Sequence, residues 1–408
     1  MSLIPFSPPR IDDEIINEVT AALKSGWITT GPRTKQFEKD LSAYNGNPNT
    51  LCLNSATAGL EIMLRWFGVK EGDEVILPAY TYSATANVVM HCGAKPVLVD
   101  VDPVDFNIDP AKVKAAITTR TKVIMPVDIA GLPCRYDELN AIVKSPEITA
   151  LFKAEGERQQ QLGRIMILSD AAHSLGGTYK GKKTGNQADV TVYSFHAVKN
   201  LTTAEGGAIA LNFPAPFNNE DIYKYLCIFT LHGQNKDALA KMQKGNWKYD
   251  IIEAGYKCNM TDLMAAIGLV ELRRYENDTL PRRKAICNYY HQTLTSYPWA
   301  ELPLLKDDQR ETSYHLYQLR IKGITEEQRD AIIQKIFDED VSVNVHFIPL
   351  PRLSFYKNLG YDINNYPVTY DNFSREISLP IFYDLSQEQL KRVTDAVIHS
   401  VEAVMSNA

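Results

Sequence analysis

Four short stretches carry side chains that could do chemistry, and each follows an apolar run. Asn54-Ser55-Ala56-Thr57-Ala58-Gly59 comes after Leu51–Leu53 and leads into a helical pattern. Small and hydroxylated residues there let backbone N–H groups approach an anion at a helix N-terminus, where the dipole also favours negative charge. The same residues would serve equally as an ordinary cap, with Ser55 or Thr57 bonding only its own helix. Asp170 ends the run Arg164–Ser169 and opens Asp170-Ala171-Ala172-His173-Ser174. A carboxylate in that place suits a ligand cation or a protonated ring nitrogen, or else it caps the next helix. Lys199 lies just past Asp189–Phe195. Desolvation by such a run turns an amine into a nucleophile or Schiff-base former, whereas on a surface turn it does nothing of the kind. Tyr80 and Tyr82 follow Glu74–Leu77. An aromatic side chain there stacks on a planar ligand or fills the core.

Taken together, a phosphate cradle, a strand-end aromatic, a strand-end Asp and a later strand-end Lys are the parts that pyridoxal phosphate needs. They converge only if one sheet carries them all. Seven apolar runs could build it: Leu51–Leu53, Glu74–Leu77, Pro96–Val99, Lys122–Val127, Arg164–Ser169, Asp189–Phe195 and Ala208–Leu211. They do not alternate in polarity, and helical patterns separate them, including 11–24, 57–67 and 110–118, the last opened by Asp109-Pro110. This predicts an α/β fold with a mostly parallel seven-stranded sheet covered by helices on both faces. Ligands of such sheets bind at the carboxyl ends of the strands.

The texture changes after about residue 260. A long helical pattern spans Met260 to about His291, followed by strand candidates Leu316–Ile321 and Val341–Phe347 and a helix near 325–337. A final helix is opened by the capping box Ser386-x-x-Gln389. The expectation is an N-terminal arm and large domain over 1–275 and a smaller α+β domain over 276–408. Residues 143–163, rich in Glu, Gln, Lys and Arg, read as a solvated helical insertion.

The 408 residues include 43 Lys+Arg and 49 Asp+Glu, a net charge of −6, and 45% are hydrophobic. That composition excludes a disordered chain or a fibre, and it argues against nucleic acid or anionic membrane as the main partner. Cys52, Cys92, Cys134, Cys227, Cys258 and Cys287 are scattered singly, without zinc or redox spacing. No metal site is expected. The first residues have neither a basic start nor a long apolar stretch, so a secretory leader is not expected, and the cytoplasm is the expected location.

The ordered motifs resemble the DegT/DnrJ/EryC1/StrS family of sugar aminotransferases. Gly26-Trp27-Ile28-Thr29-Thr30-Gly31-Pro32 with Phe37-Glu38 opens the match. Asn54–Gly59, Pro78–Asn87, Val97–Pro103, Asp170–Ser174, Ser194–Asn200, Gly255–Met260 and Leu379-Pro380 follow in family order. The resemblance implies pyridoxal 5'-phosphate, alternating with pyridoxamine 5'-phosphate, in the aspartate-aminotransferase fold (fold type I). It implies that Lys199 bonds to the cofactor aldehyde and that Asp170 pairs with the ring nitrogen. By the same carry-over Tyr82 stacks on the ring, His173 lies against it, and Ala56, Thr57 and Ser194 hold the phosphate.

In Gly255-Tyr256-Lys257-Cys258-Asn259-Met260 the family's usual arginine is missing, so Asn259, or else Lys257, is expected to reach the partner subunit's cofactor phosphate in a homodimer. Thr29, Thr30 and His346 are expected on the substrate side, or else Thr29 and Thr30 only shape a turn and His346 is a structural histidine beside a strand. Lys236, with Lys241, Lys244 and Lys248, either meets a pyrophosphate or is a solvated loop. The implied reaction carries an amino group from an amino acid, L-glutamate, to a nucleotide-linked keto sugar, with a UDP-4-keto sugar favoured, for a surface polysaccharide or lipid glycan. Two rivals are a pyridoxamine-phosphate-dependent dehydratase of the same family and a non-catalytic sugar-nucleotide-binding regulator. Lys199 opposes the first, since those dehydratases carry histidine at that place. Retention of both Asp170 and Lys199 opposes the second.

Overall fold

The computed structural model describes residues 2–236 and 248–406. All seven apolar runs are strands of one sheet. They are β1 (Asn49–Leu53), β2 (Glu74–Pro78), β3 (Lys95–Val99), β4 (Thr121–Ile124), β5 (Met166–Asp170), β6 (Val190–Ser194) and β7 (Gly207–Leu211). Their spatial order is β1-β7-β6-β5-β4-β2-β3. Every pairing is parallel except those of β7, which runs antiparallel to both β1 and β6. The pleat shows why the runs lack alternation. Met166 and Leu168 enter the core on one face, and Ile165 and Ile167 enter the core on the other. Helices α1 (Asp13–Lys24), α2 (Pro32–Asn45), α3 (Ala56–Trp66) and α4 (Ser83–His91) belong to the same half of the chain.

The long helical pattern expected from Met260 to His291 is one unbroken helical stretch, α5 (Asp262–Arg274) and α6 (Leu280–Leu294) joined through a π-helical turn, Tyr275–Thr279, with Pro281 in the first turn of α6. One feature differs from the sequence expectations. Val341–Phe347 is not a strand: it makes only the isolated pairings Ile4 with Val341 and Asn344 with Ser378. The outer strand of the smaller sheet is instead β10 (Glu376–Leu379), antiparallel to β9 (Tyr317–Ile321), with β8 (Ala300–Glu301) on the other side. The 143–163 segment contains short helices, Pro146–Leu151 and Glu157–Leu162. Helices α7 (Glu326–Asp338) and α8 (Gln387–Met405) pack on the small sheet, each opened by a complete capping box.

Ile4 belongs to the core of this second unit, through backbone bonds to Asp340 and Ser342. All six cysteines are free. No helix among the described residues is long and apolar enough to cross a membrane.

Candidate active site

Parallel strands end on one edge of the sheet, and that edge carries the chemistry. A cavity of about 360 Å³ opens there, and its lining includes Ala56, Thr57, Tyr82, Asp170, His173, Ser194, Lys199 and His346. These are eight of the twelve site residues expected from sequence. The antiparallel β7 contributes as well, because its first residues begin where its neighbours end, which puts Glu205 and Gly206 in the wall.

Ser55 caps α3 by accepting the N–H of Ala58 at 3.1 Å, so for Ser55 the capping role is the observed one. The N–H groups of Ala56 and Thr57, in the first turn, have no acceptor among the described residues and border the cavity. Gly207 makes this close approach possible: a Cβ there would lie 2.4 Å from the Ala56 nitrogen and 2.5 Å from the Ser55 carbonyl carbon.

Asp170, the last residue of β5, is buried. Its Oδ2 accepts from Thr85 Oγ1 at 2.9 Å, and its Oδ1 accepts from the Ala172 N–H at 3.2 Å. Burial pushes its pKa up, only partly countered by those bonds and by the charge of Lys199. A carboxylate penalised in this way gains strongly from a cationic partner. Burial also acts on Lys199, lowering its pKa to about 8 against the pull of Asp170. Lys199 is partly exposed as a residue because it borders an open cavity, while its amine lies deep within it.

His173 is buried, and its Nδ1 has no hydrogen-bond partner among the described residues. Its ring lies 4.3 Å from that of His315 and 5.7 Å from that of Phe347. Burial, with Lys199 and His346 adding to it, holds His173 well below the usual histidine pKa. Tyr82, by contrast, is 62% exposed at the mouth, 5.8 Å from Phe347.

The remaining four expected residues do not line this cavity. Asn259 Nδ2 donates to Thr30 Oγ1 at 2.5 Å, Lys257 Nζ donates to Asn259, and Thr29 is exposed. Lys236 lies in a separate loop, and Lys241 and Lys244 fall outside the described residues. The cavity also includes Thr85, His315 and Phe347, which sequence reasoning missed. Thr85 was within reach of it, since it lies one helical turn beyond Tyr82 in a matched segment. His315 and Phe347 come from distant chain with no local signal.

A model of the DegT/DnrJ/EryC1/StrS aminotransferase family matches residues 9–154 and 157–398. The chain belongs to that family. Spore coat polysaccharide biosynthesis protein SpsC of Bacillus subtilis is 36% identical over 401 residues, covering 97% of this chain and 96% of that protein. The sugar aminotransferase candidate Spr1654 of Streptococcus pneumoniae, solved in its PMP form, is 47% identical with a TM-score of 0.94. The match covers 98% of this chain and all of that one. Helicobacter pylori PseC, an aminotransferase involved in pseudoaminic acid biosynthesis, is 26% identical with a TM-score of 0.84, covering 98% of this chain and all of PseC.

The DegT/DnrJ/EryC1/StrS cofactor is pyridoxal phosphate, and Spr1654 is solved in both PLP and PMP forms. The residues present fit it. Two unpaired amides at a helix N-terminus suit its phosphate, the charge-starved Asp170 suits its ring nitrogen, the unpartnered His173 Nδ1 offers a polar contact, and the desolvated amine of Lys199 suits its aldehyde. Among the described residues no group of three or more His, Cys, Asp or Glu could hold a metal ion.

Proposed function

We propose that this chain is a cytoplasmic sugar aminotransferase that moves an amino group from L-glutamate to a nucleotide-linked 4-keto sugar carried on UDP, toward a surface polysaccharide or lipid glycan. One observation carries the reading: Lys199 and Asp170, from the ends of neighbouring strands, share a single cavity with an anion-ready helix terminus. Pyridoxal phosphate, when bound, supplies an aldehyde that condenses with amines and a ring that withdraws electrons.

The chain's own residues do the rest. Lys199 Nζ, with a pKa of about 8, is near the value that lets one group both accept and donate a proton at neutral pH. It takes the proton lost from the donor's Cα and later returns one from the same atom. Asp170 holds a positive charge beside it, and Thr85 fixes the direction of its carboxylate. His173 and Phe347 keep water from one side of the site. His346 is the residue that meets the amino acceptor. We place the cavity between a large unit ending near residue 275 and a small unit over 276–408.

Asn259 and Thr30, bonded to each other away from this cavity, would complete the site of the second subunit in an isologous homodimer. Lys236 would lie toward the pyrophosphate, and Thr29 toward the sugar. The test is to incubate the holoenzyme with L-glutamate and UDP-4-keto sugars while following 2-oxoglutarate and amino sugar by mass spectrometry. Stoichiometric formation of both is the expected result. Loss of a sugar hydroxyl without gain of nitrogen would establish the dehydratase instead.

A further inference from the structure

His346 lines the cavity at the end of a chain of polar groups that begins at a buried carboxyl. Glu376 opens β10 and is fully buried. Its Oε2 accepts the backbone N–H of His346 at 3.0 Å, and its Oε1 lies 2.5 Å from Ser378 Oγ. Ser378 Oγ in turn lies 3.0 Å from His346 Nδ1. The imidazole is held in place: Phe6 stacks on it at 5.3 Å and Phe347 meets it edge-on at 5.1 Å. The His346 carbonyl accepts from Tyr80 Oη at 2.6 Å and Gln318 Nε2 at 2.7 Å. With Nδ1 engaged by Ser378, Nε2 is the ring nitrogen left for the cavity.

Counting donors decides which nitrogen carries hydrogen. A proton on Glu376 sits on Oε1, because Oε2 already accepts from an amide. Oε1–H then donates to Ser378 Oγ, the Ser378 hydroxyl donates to Nδ1, and the ring hydrogen is on Nε2. An ionised Glu376 reverses each bond. Ser378 donates to Oε1, Nδ1–H donates to Ser378, and Nε2 is a bare acceptor. The ring is neutral in both states, since burial and the facing Lys199 push its pKa down to about 3.

We propose that Glu376 and Ser378 set the tautomer of His346, so that the neutral carboxyl presents Nε2–H to the keto oxygen of the amino acceptor and the ionised one withdraws it. This rests on the keto-sugar reading above. Glu376 and Ser378 are positioning residues, and His346 is the residue that touches the acceptor. The charged and titratable groups facing Glu376 are Arg329 of α7, Arg320 of β9, Tyr80 beyond β2, and His346 itself. Burial outweighs Ser378, the His346 amide and both guanidinium groups, and it pushes the carboxyl up to about 8. The N–H form therefore prevails at neutral pH and gives way above it.

Nitrogen-15 spectra of the histidine rings in the holoenzyme distinguish the two neutral tautomers, and His346→Gln assigns the resonance. Wild type is expected to show Nε2–H at pH 7, converting to Nδ1–H with a midpoint near 8. Glu376→Gln, whose amide donates to Ser378 as the neutral acid does, should keep Nε2–H across the range. Ser378→Ala should abolish the pH response and raise KM for the acceptor about tenfold. An Nδ1–H ring at pH 7 overturns the proposal, and so does a pH switch that survives in Glu376→Gln. The wild-type spectrum decides even if a variant fails to fold. An intact tautomer switch with no turnover of keto sugars would refute the substrate reading alone.

Discussion

Thr85, in the first turn of α4, donates its hydroxyl hydrogen to Oδ2 of Asp170 across 2.9 Å, tying a helix start to a strand end 85 residues away. The bond stabilises the ionised carboxylate against its burial. Thr85→Val keeps the shape and removes the donor, so the Asp170 pKa should rise further and its hold on a cationic ring nitrogen should weaken. Direct titration with pyridoxal phosphate, followed by absorbance, should give a dissociation constant about tenfold higher. An unchanged constant would remove Thr85 from the cofactor's support.

Lys199 makes a second, opposite demand on the fold. Its folded pKa of about 8 lies below the ordinary 10.5, so the unfolded chain binds the extra proton between those values. Stability of the cofactor-free protein should therefore rise as pH climbs from 8 to 10.5, and below pH 8 the full cost of about 3 kcal/mol is present. Lys199→Met should unfold at a higher temperature than wild type at pH 7, with the gap closing near pH 10.5. The same variant should lose the cofactor's visible absorbance band and all turnover.

Gly207 tests the phosphate cradle. Its Cβ would collide with main chain of Ser55 and Ala56, atoms that cannot swing aside. Gly207→Ala should displace the start of α3, costing about 2 kcal/mol in urea unfolding and weakening cofactor phosphate binding. Inorganic phosphate competition against the cofactor gives the second readout, because free phosphate should compete less well with the displaced cradle.

Asp262 tests the opening motif. Gly31, the N-cap of α2, has no side chain to offer, and Asp262 fills the gap from across the fold. Its Oδ1 accepts from the N–H groups of Gly31 and Thr34 at 2.8 and 2.9 Å and from Thr34 Oγ1 at 2.8 Å, while its Oδ2 accepts from the Arg33 N–H at 3.1 Å. Asp262→Ala leaves those donors without a partner and should cost about 3 kcal/mol in thermal or urea unfolding.

The sequence was most informative where burial is two-sided. Strands such as β5 and β6 are apolar on both faces, so their runs stand out, and ligand-facing residues follow at their ends. Spatial order was not legible, because nothing in Gly207–Leu211 announces an antiparallel strand inserted between two parallel ones. β10 escaped notice because its first residue is a buried glutamate, a residue type that burial normally excludes. Val341–Phe347 is apolar enough to read as a strand, yet its backbone pairs only at single positions with Ile4 and Ser378. The helical pattern from Met260 to His291 was legible as a whole, and only the π-helical turn within it, Tyr275–Thr279, was not. Within the cavity, Lys199 and Asp170 were legible from their place after strands, whereas Glu376 and Ser378 matter only through a contact made in three dimensions.

The pairing of Ile4 with Val341, and the stacking of Phe6 on His346, bear on how the chain is born. Ile4 and Phe6 must wait for more than three hundred further residues before their partners emerge. The wall of the cavity that holds His346 thus cannot close during most of synthesis, and nascent chains, however well their central sheet has formed, carry an unfinished pocket. Closure of that wall is a late step of chain assembly, made by a clasp between residues more than three hundred positions apart.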